Sequence, residues 1–251
     1  MAPNLLVLGG TTEATALCRA IANAGLRGTI SFAGRVVRPV RHPLPQRVGG
    51  FGGAAGLADY LRAHNITHVV DATHPFAAQM SRNAVAACAD AQVPLAALTR
   101  APWAPVPGDG WTTVPDITAA VVALDRAPAR VMLAIGRMNL PAFAPQPQHF
   151  YLLRLVDPPQ TPPPFPDHHI MIDRGPFRTD SDRALMADHK IDLVVSKNAG
   201  GTGAYAKIAA ARDLGLPVIM IDRPALPRRL ELHDVQTVLD WAVHAPTDLG
   251  V

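Results

Sequence analysis

The chain has 251 residues, of which 49% are hydrophobic and only 5% aromatic, and its formal net charge is +3. This length is enough for one large or two small domains, and a core of Ala, Val, Leu and Ile is typical of buried parallel strands covered by helices. The dispersed basic residues do not favour a nucleic-acid partner, and no apolar run reaches the roughly 20 residues that span a membrane.

Cys18 and Cys88 are the only cysteines. Two isolated thiols form neither a disulfide framework nor a metal cluster, so they are interpreted as small core residues in a reducing compartment. We therefore expect a cytoplasmic protein with no bound metal, no membrane partner and no nucleic-acid partner. Because nothing in the sequence indicates a coiled coil or an exposed sheet edge, we expect a monomer.

Strands and helices alternate along the chain. In the first half we predict strands over 4–8, 29–33, 68–72 and 94–98, with helices over 13–24, 56–64 and 77–91. Residues 101–111 contain three prolines and two glycines, which indicates a linker. In the second half we predict strands over 130–135, 149–155, 169–172, 192–196 and 217–221, with helices over 116–124, 179–190, 203–214 and 234–243.

Strands followed by helices of this length form parallel βαβ units. The pattern therefore predicts an α/β protein with two Rossmann-like or flavodoxin-like parallel-sheet domains. We place the N-terminal domain at 1–111 and the C-terminal domain at 112–251. The active site is expected in the cleft between them.

A glycine-rich turn joins the first strand to the first helix. Such a turn directs backbone N–H groups and the positive end of the helix at one point, which suits a phosphate. The match to G-x-G-x-x-G is partial, because Thr and Ala stand at positions 11 and 14. A capped turn without a ligand gives the same pattern. The candidate cofactor ligands in this turn are Gly9, Gly10, Thr11, Thr12 and Glu13.

The end of the second strand carries arginines and no carboxylate. Enzymes that select NAD place an acidic residue here to bind the ribose 2′-hydroxyl, whereas arginine suits the 2′-phosphate of NADPH. We predict that Gly34, Arg35 and Arg38 bind NADPH, with a solvated basic loop as the alternative.

Polar residues follow the third strand, where open α/β sheets hold their ligands. Thr73 and His74 are candidate cofactor ligands, and His74 is also a candidate proton donor, although an isolated histidine is often structural. Asp71 is as well placed to anchor the turn internally.

A second glycine-rich turn follows residues 192–196. It is not a Walker A loop, because its lysine precedes the glycines. Lysine and backbone amides can bind a carboxylate or a pyrophosphate. The candidate ligands are Ser196, Lys197, Gly200, Gly201 and Thr202, and Lys197 and Tyr205 join His74 as candidate catalytic residues.

Taken together, five segments resemble the precorrin-6A reductase family of cobalamin biosynthesis. They are Leu-Gly-Gly-Thr-Thr-Glu-Ala at 8–14, Val-Gly-Gly-Phe-Gly-Gly at 48–53, Asp-Ala-Thr-His-Pro-Phe-Ala at 71–77, Ser-Lys-Asn-Ala-Gly-Gly-Thr-Gly-Ala at 196–204 and Ile-Asp-Arg-Pro at 221–224. The resemblance implies hydride transfer from NADPH to a double bond of a tetrapyrrole, giving precorrin-6B or its cobalt-bearing counterpart. The many carboxylates of that substrate imply a basic site containing Arg137, Arg174 and Lys197.

Two other functions fit the same residues. One is an NADPH-dependent reductase of another large anionic substrate, since no residue by itself indicates a tetrapyrrole. The other is a non-catalytic nucleotide-binding α/β module, although two glycine-rich turns favour two ligands held together.

Overall fold

The computed structural model describes residues 2–33, 42–159, 161–173 and 175–244. The chain forms two compact units, one made of Met1–Arg100 with Ala225–Val251 and the other of Ala101–Pro224. No helix in these described ranges is both long enough and apolar enough to cross a lipid bilayer.

The elements follow in chain order. Up to residue 98 they are β1 (Asn4–Leu8), α1 (Thr12–Asn23), β2 (Arg27–Phe32), β3 (Gln46–Val48), α2 (Gly53–Ala63), β4 (His68–Asp71), α3 (Ala78–Ala91) and β5 (Leu95–Leu98). The chain continues with β6 (Gly110–Val114), α4 (Ile117–Ala123), β7 (Arg130–Ala134), a 3₁₀ helix (Arg137–Phe143), β8 (Phe150–Leu155), β9 (His168–Ile172), α5 (Thr179–Asp188), β10 (Leu193–Lys197), α6 (Ala206–Asp213) and β11 (Pro217–Ile221). It ends with β12 (Leu230–Leu232) and α7 (Val235–His244).

Each unit contains a six-stranded parallel sheet. The first sheet has the order β12-β5-β4-β1-β2-β3 and the second has the order β6-β11-β10-β7-β8-β9. Read from β3 and numbered within the unit, the first order is the 3-2-1-4-5-6 of dinucleotide-binding sheets. The second sheet repeats this order for β7 to β11 and has β6, the first strand of its unit, in the sixth place. Ligands of such sheets lie where the strand order reverses. The predicted α/β class with two parallel-sheet domains is confirmed.

The apolar sequence of β1 follows from burial on both faces of the sheet. Leu5 and Val7 pack in a core with α1 and α7, whereas Leu6 and Leu8 pack in a second core with α2 and α3. All four side chains are at most 2% exposed. A strand covered by helices on both faces needs apolar residues at every position, which is why the sequence shows a run and not an alternation.

In each sheet, one edge strand comes from a part of the chain where the sequence predicts no strand. The C-terminal strand β12 pairs with β5 in the first sheet, and β6, which precedes β7, pairs with β11 in the second. The observed units therefore differ from the predicted division into 1–111 and 112–251, because residues after 224 return to the first unit.

A buried ion pair ties this returning segment to the end of β4. Arg229 Nη1 donates to Asp71 Oδ2 at 2.5 Å, and the two side chains are 8% and 1% exposed. The same carboxylate oxygen accepts from Ser81 Oγ at 2.6 Å. Because Asp71 is buried, removing its cationic partner leaves a charge without compensation.

We expect Arg229→Ala to lower the free energy of unfolding by about 3 kcal/mol, since breaking a buried pair from one side leaves the other charge stranded. Urea denaturation followed by circular dichroism measures this loss. The matched control is Arg228→Ala, which removes an exposed arginine and should change stability by less than about 0.5 kcal/mol. Equal losses in the two variants would contradict a structural role for the pair.

Candidate functional site

The glycines of the first turn are required by backbone geometry and packing. A methyl group at Gly9 would lie 2.9 Å from Ile30 Cδ1 and 3.1 Å from Phe32 Cε1, so the backbone passes directly against β2. Gly10 has φ +138°, a region that L side chains rarely adopt. The turn therefore presents bare backbone at the carboxyl end of β1.

Thr11 connects this turn to the end of β4. Its hydroxyl accepts from Ala14 N at 3.1 Å, which caps α1, and donates to Ala72 O at 2.8 Å. Among the described residues, no hydrogen bond takes up the backbone N–H groups of residues 10–13. These donors and the positive end of α1 together suit an anion.

Glu13 is the acidic residue in the first turn of α1, and its charge is compensated. Arg100 Nε lies 2.8 Å from Glu13 Oε1, and Thr12 Oγ1 donates to Glu13 Oε2 at 3.0 Å. Sequence reasoning missed Arg100, which follows β5, two strands away from β1 in the sheet. The pairing reduces the repulsion that Glu13 would otherwise exert on a bound phosphate.

The turn after β4 is anchored by Asp71, as one of the two predicted interpretations has it. Asp71 Oδ1 accepts from Thr73 N at 3.1 Å and from Thr73 Oγ1 at 2.6 Å. His74 Nδ1 accepts from Phe76 N at 3.2 Å. This bond requires a bare Nδ1, so the neutral ring carries its hydrogen on Nε2 and can donate from there.

The structure thus brings together the predicted residues of the first turn and of the turn after β4. The register pairs Leu8 with Asp71, which sets the two turns side by side where the strand order reverses. Three other predicted cofactor ligands, Gly34, Arg35 and Arg38, lie outside the described residues, and so does the predicted substrate ligand Arg174.

Arg47 on β3 organises the glycine segment that follows it. Its guanidinium donates to Ser31 Oγ at 3.2 Å, to Gly49 O at 2.6 Å and to Gly50 O at 2.7 Å. It also stacks over the Phe51 ring, 3.7 Å from the centroid. Sequence reasoning missed this residue, since β3 has no apolar pattern to mark it as a strand.

The second turn is held by an arginine of the Ile-Asp-Arg-Pro segment. Arg223 Nε donates to Asn198 O at 3.1 Å, and Arg223 Nη2 donates to Ala199 O at 3.1 Å. These bonds take up carbonyl oxygens of the turn. Within the described chain, the N–H groups of residues 201–203 have no hydrogen-bond acceptor, so the turn presents donors to an anion.

Residues 101–104 lie against the same turn. Asn198 exchanges two hydrogen bonds with the Trp103 backbone, accepting from its N at 2.8 Å and donating to its O at 2.9 Å. Gly200 has φ +69°, and a methyl group there would lie 2.3 Å from Ala101 O. The predicted linker is therefore fixed to the glycine turn at its first residues.

Lys197 and Arg137 supply positive charge at this edge. The register of β10 against β7 pairs Ser196 with Ala134, so Lys197, the last residue of β10, and Arg137, which follows β7, both lie at the carboxyl ends of neighbouring strands. Burial lowers the pKa of the Lys197 ammonium from 10.5 to about 8. Two cations at the reversal point of the strand order suit a ligand with more than one carboxylate.

Ser196 is a predicted substrate ligand, and this role stays a prediction. Its side chain is fully buried, and its hydroxyl donates to Lys197 O at 3.2 Å. In a parallel strand successive side chains point to opposite faces, so Ser196 packs inward while Lys197 is partly accessible.

Tyr205 lies on the other side of the turn, and its hydroxyl is already in a hydrogen-bond network. Arg212 Nη2 donates to Tyr205 Oη, and Arg212 Nε donates to Asp109 Oδ1 at 2.9 Å. The Asp109 side chain is 1% exposed. The network fixes the position of the phenol ring, and the catalytic role of Tyr205 stays a prediction.

Lys207 is a buried lysine that sequence reasoning did not single out. It is 5% exposed, and its ammonium donates to Ala204 O at 2.7 Å. Burial lowers its pKa to about 7, with a smaller contribution from the Arg154 guanidinium, while Asp182 opposes the shift. A lysine in a predicted helix is ordinarily taken as solvent-exposed, so the sequence gives no signal for this position.

The described part of the chain contains no group of three or more His, Cys, Asp or Glu side chains arranged to hold a metal ion. The geometry provides two glycine turns whose free backbone N–H groups, among the described residues, suit an anion. One lies at the strand-order reversal of the first sheet and one at that of the second.

Comparison with known proteins agrees with this arrangement. The model of the family described as "Precorrin-6x reductase CbiJ/CobK" matches residues 4–243. A precorrin-6A reductase of Rhodobacter capsulatus is 57% identical over 248 residues, covering 98% of this chain and 99% of the relative. A precorrin-6A reductase of a Sinorhizobium species is 48% identical over 222 residues, covering 88% of this chain and 85% of the relative.

A solved structure described as CobK precorrin-6A reductase superimposes with a TM-score of 0.92 at 57% identity, covering 99% of this chain and 100% of that one. The fold and the two turns define a double Rossmann-like α/β protein with a glycine turn at the strand-order reversal of each sheet. More particularly, the chain belongs to the precorrin-6x reductase family.

A prediction concerns the crowded glycine of the second turn. Gly200→Ala should lower the free energy of unfolding by about 2 to 4 kcal/mol, because the new methyl group adds steric overlap to the cost of a positive φ. Gly215, with φ +66° and nothing within 4 Å of the added atom, is the matched control. Gly215→Ala should cost only about 1 kcal/mol. Urea denaturation compares the two, and equal losses would show that crowding at Gly200 is unimportant.

Proposed function

We propose that this chain reduces a carbon–carbon double bond of precorrin-6A with hydride from NADPH, forming precorrin-6B in cobalamin biosynthesis. Membership of the precorrin-6x reductase family carries the proposal, and the curated relatives are named for this substrate. Both names specify precorrin-6A without cobalt, which favours the cobalt-free substrate.

The first turn fits the pyrophosphate of a dinucleotide. The N–H donors of residues 10–13 have no acceptor among the described residues. Gly9 allows the turn to pass close to β2, because any side chain at this position would overlap residues of that strand. Gly9, Gly10, Thr11 and Thr12 would hold the phosphates, with Glu13 kept paired to Arg100. When bound, the nicotinamide supplies the hydride. Thr73 and His74 lie beside this turn and would contact the cofactor.

The sequence after β2 supports NADPH over NADH. Ser31-Phe32-Ala33 ends the strand without a carboxylate, and Gly34, Arg35 and Arg38 follow. A guanidinium binds a 2′-phosphate through paired hydrogen bonds, whereas an unmodified ribose needs an acceptor at this place.

The second turn fits the acidic substrate. Arg137 and Lys197 lie at the carboxyl ends of neighbouring strands, and the N–H groups of residues 201–203 lie on the same loop as Lys197. Arg174 would add a third cation. Their task is to orient a polycarboxylate so that the reacting carbon meets the hydride donor, since positioning supplies much of the rate in such a transfer.

Hydride addition to a conjugated system creates negative charge that a proton or a nearby cation must stabilise. In the tautomer whose Nδ1 accepts from Phe76 N, neutral His74 would offer a hydrogen bond from Nε2 to this charge, and its ring would need a second proton before it could act as an acid. Lys197 supplies an ammonium whose pKa of about 8 leaves it mostly protonated at neutral pH. Tyr205 is the third candidate, with Arg212 bonded to its oxygen.

Lys197 should make substrate binding depend on pH. Its free-enzyme pKa of about 8 means that the cation is lost as pH rises through 8, so the KM for precorrin-6A should increase between pH 7 and 9. Lys197→Arg keeps the charge over this range and should flatten the profile, whereas Lys197→Met should give a high KM at every pH. Steady-state kinetics under anaerobic conditions provide the measurement. A profile in Lys197→Arg that matches the wild type would assign the titration to another group.

The function is tested by anaerobic turnover of precorrin-6A. We expect stoichiometric loss of nicotinamide absorbance together with a shift of the tetrapyrrole spectrum, and a clear preference for NADPH over NADH. Arg35→Ala should raise the KM for NADPH about tenfold or more and leave that for NADH unchanged, because only NADPH carries the 2′-phosphate. Arg228→Ala serves as the control for removal of a positive charge. Equal use of both coenzymes by the wild type would refute the NADPH assignment.

A further inference from the structure

A cavity of about 360 Å³ opens beside the second turn. It is lined by Ala101, Trp103, Ala104, Gly201 and Tyr205. The Trp103 and Tyr205 rings stand 5.6 Å apart at an interplanar angle of 60°. Sites for organic ligands are concave and mainly apolar with a few placed polar groups, and this cavity lies within their usual size range.

Trp103 is held rigidly at this cavity. Besides its two backbone bonds to Asn198, its Nε1 donates to Gly201 O at 2.6 Å. The Lys207 ammonium lies over its ring, 5.0 Å from the centroid. A half-buried tryptophan fixed at three hydrogen bonds and one cation–π contact loses little conformational freedom when a ligand stacks on it.

Tyr205 is also immobilised, through Arg212 and the buried Asp109. The polar edge of the cavity is the glycine turn itself. Gly201 lines the cavity, and the N–H groups of residues 201–203 have no acceptor among the described residues. Rigid aromatic walls beside amide donors suit a flat ring that carries an anionic substituent.

We propose that this cavity binds one pyrrole-derived ring of the tetrapyrrole, with the ring against Trp103 and its carboxylate side chain directed at the amides of residues 201–203. The assignment rests on the proposed function and deepens it by making Trp103 a substrate-positioning residue. The cavity accommodates a single ring with its side chain, whereas the complete macrocycle contains four such rings. Trp103 therefore fixes the orientation of the macrocycle and, through it, which double bond faces the hydride donor.

The test compares three tryptophan variants in anaerobic steady-state kinetics. Trp103→Leu removes the aromatic wall and should raise the KM for precorrin-6A about tenfold while the KM for NADPH stays within twofold. Trp103→Phe keeps a ring at the wall and should raise the KM for precorrin-6A by less than Trp103→Leu does. The control is Trp111→Phe on β6, because Trp111 Nε1 has no hydrogen-bond partner to lose and Trp111 does not line the cavity.

A direct measurement separates this proposal from the proposed function. Anaerobic titration of the protein with precorrin-6A, followed by the tetrapyrrole absorbance, gives a Kd without requiring turnover, and Trp103→Leu should raise that Kd about tenfold. If the wild type binds precorrin-6A but does not reduce it, the proposed function fails while the Kd ratio still decides the role of Trp103.

Other outcomes overturn the assignment. A higher KM for NADPH with an unchanged KM for precorrin-6A would make the cavity a nucleotide site. Unchanged KM values for both precorrin-6A and NADPH in Trp103→Leu would show that the cavity binds neither of them. Should Trp103→Leu fail to fold, shown by loss of its thermal transition, Trp103→Phe takes its place. Phe is a smaller ring and cannot donate to Gly201 O, so Trp103→Phe should raise the Kd for precorrin-6A at least twofold over that of Trp111→Phe, and equal Kd values in the two variants would refute the proposal.

Discussion

The parallel pairing of β1 with β4 and of β7 with β10 is the constraint on which both candidate sites depend. At these two places neighbouring strands are followed by connections that leave in opposite directions along the sheet, so an open space remains at their carboxyl ends. The backbone reaches that space only if the residues after β1 and β10 are small, as the overlaps at Gly9 and Gly200 show. The exposed backbone amides of the two turns are then a consequence of sheet topology, and the proposed role of Lys197 adds a side-chain cation to one of them.

Arginines give the loops around these spaces their shape. Arg47 takes up the carbonyls of residues 49 and 50, and Arg223 those of residues 198 and 199. Arg229 neutralises Asp71 below the His74 turn. Each guanidinium offers a rigid fork of donors, which lets one side chain fix two points of the backbone. The net positive charge of the chain therefore reflects internal bracing of loops as well as attraction of an acidic ligand.

Sequence reasoning found the strands and helices whose burial leaves a periodic signal. It found β1, β4, β10 and β11 because helices cover both faces of these strands, and it found the glycine turns because their chemistry is local. It missed β3, β6 and β12, which lie at sheet edges and are mostly exposed, so they carry no apolar run. Because β12 was not predicted, the predicted division into 1–111 and 112–251 also differs from the observed units. Arg100 and Trp103 were missed and the contacts of Arg223 were not predicted, because these contacts join residues far apart in sequence.

The return of β12 and α7 to the first unit also sets the order in which the molecule is completed. A ribosome releases residues 1–100 well before β12 and α7 exist, yet Val238 and Ala242 of α7 belong to the core that covers Leu5 and Val7. During synthesis the first unit therefore keeps an unpaired edge at β5 and an uncovered apolar face until the last part of the chain emerges. The second unit, made of one continuous segment, has no such delay. The N-terminal part of the protein is translated first and completed last.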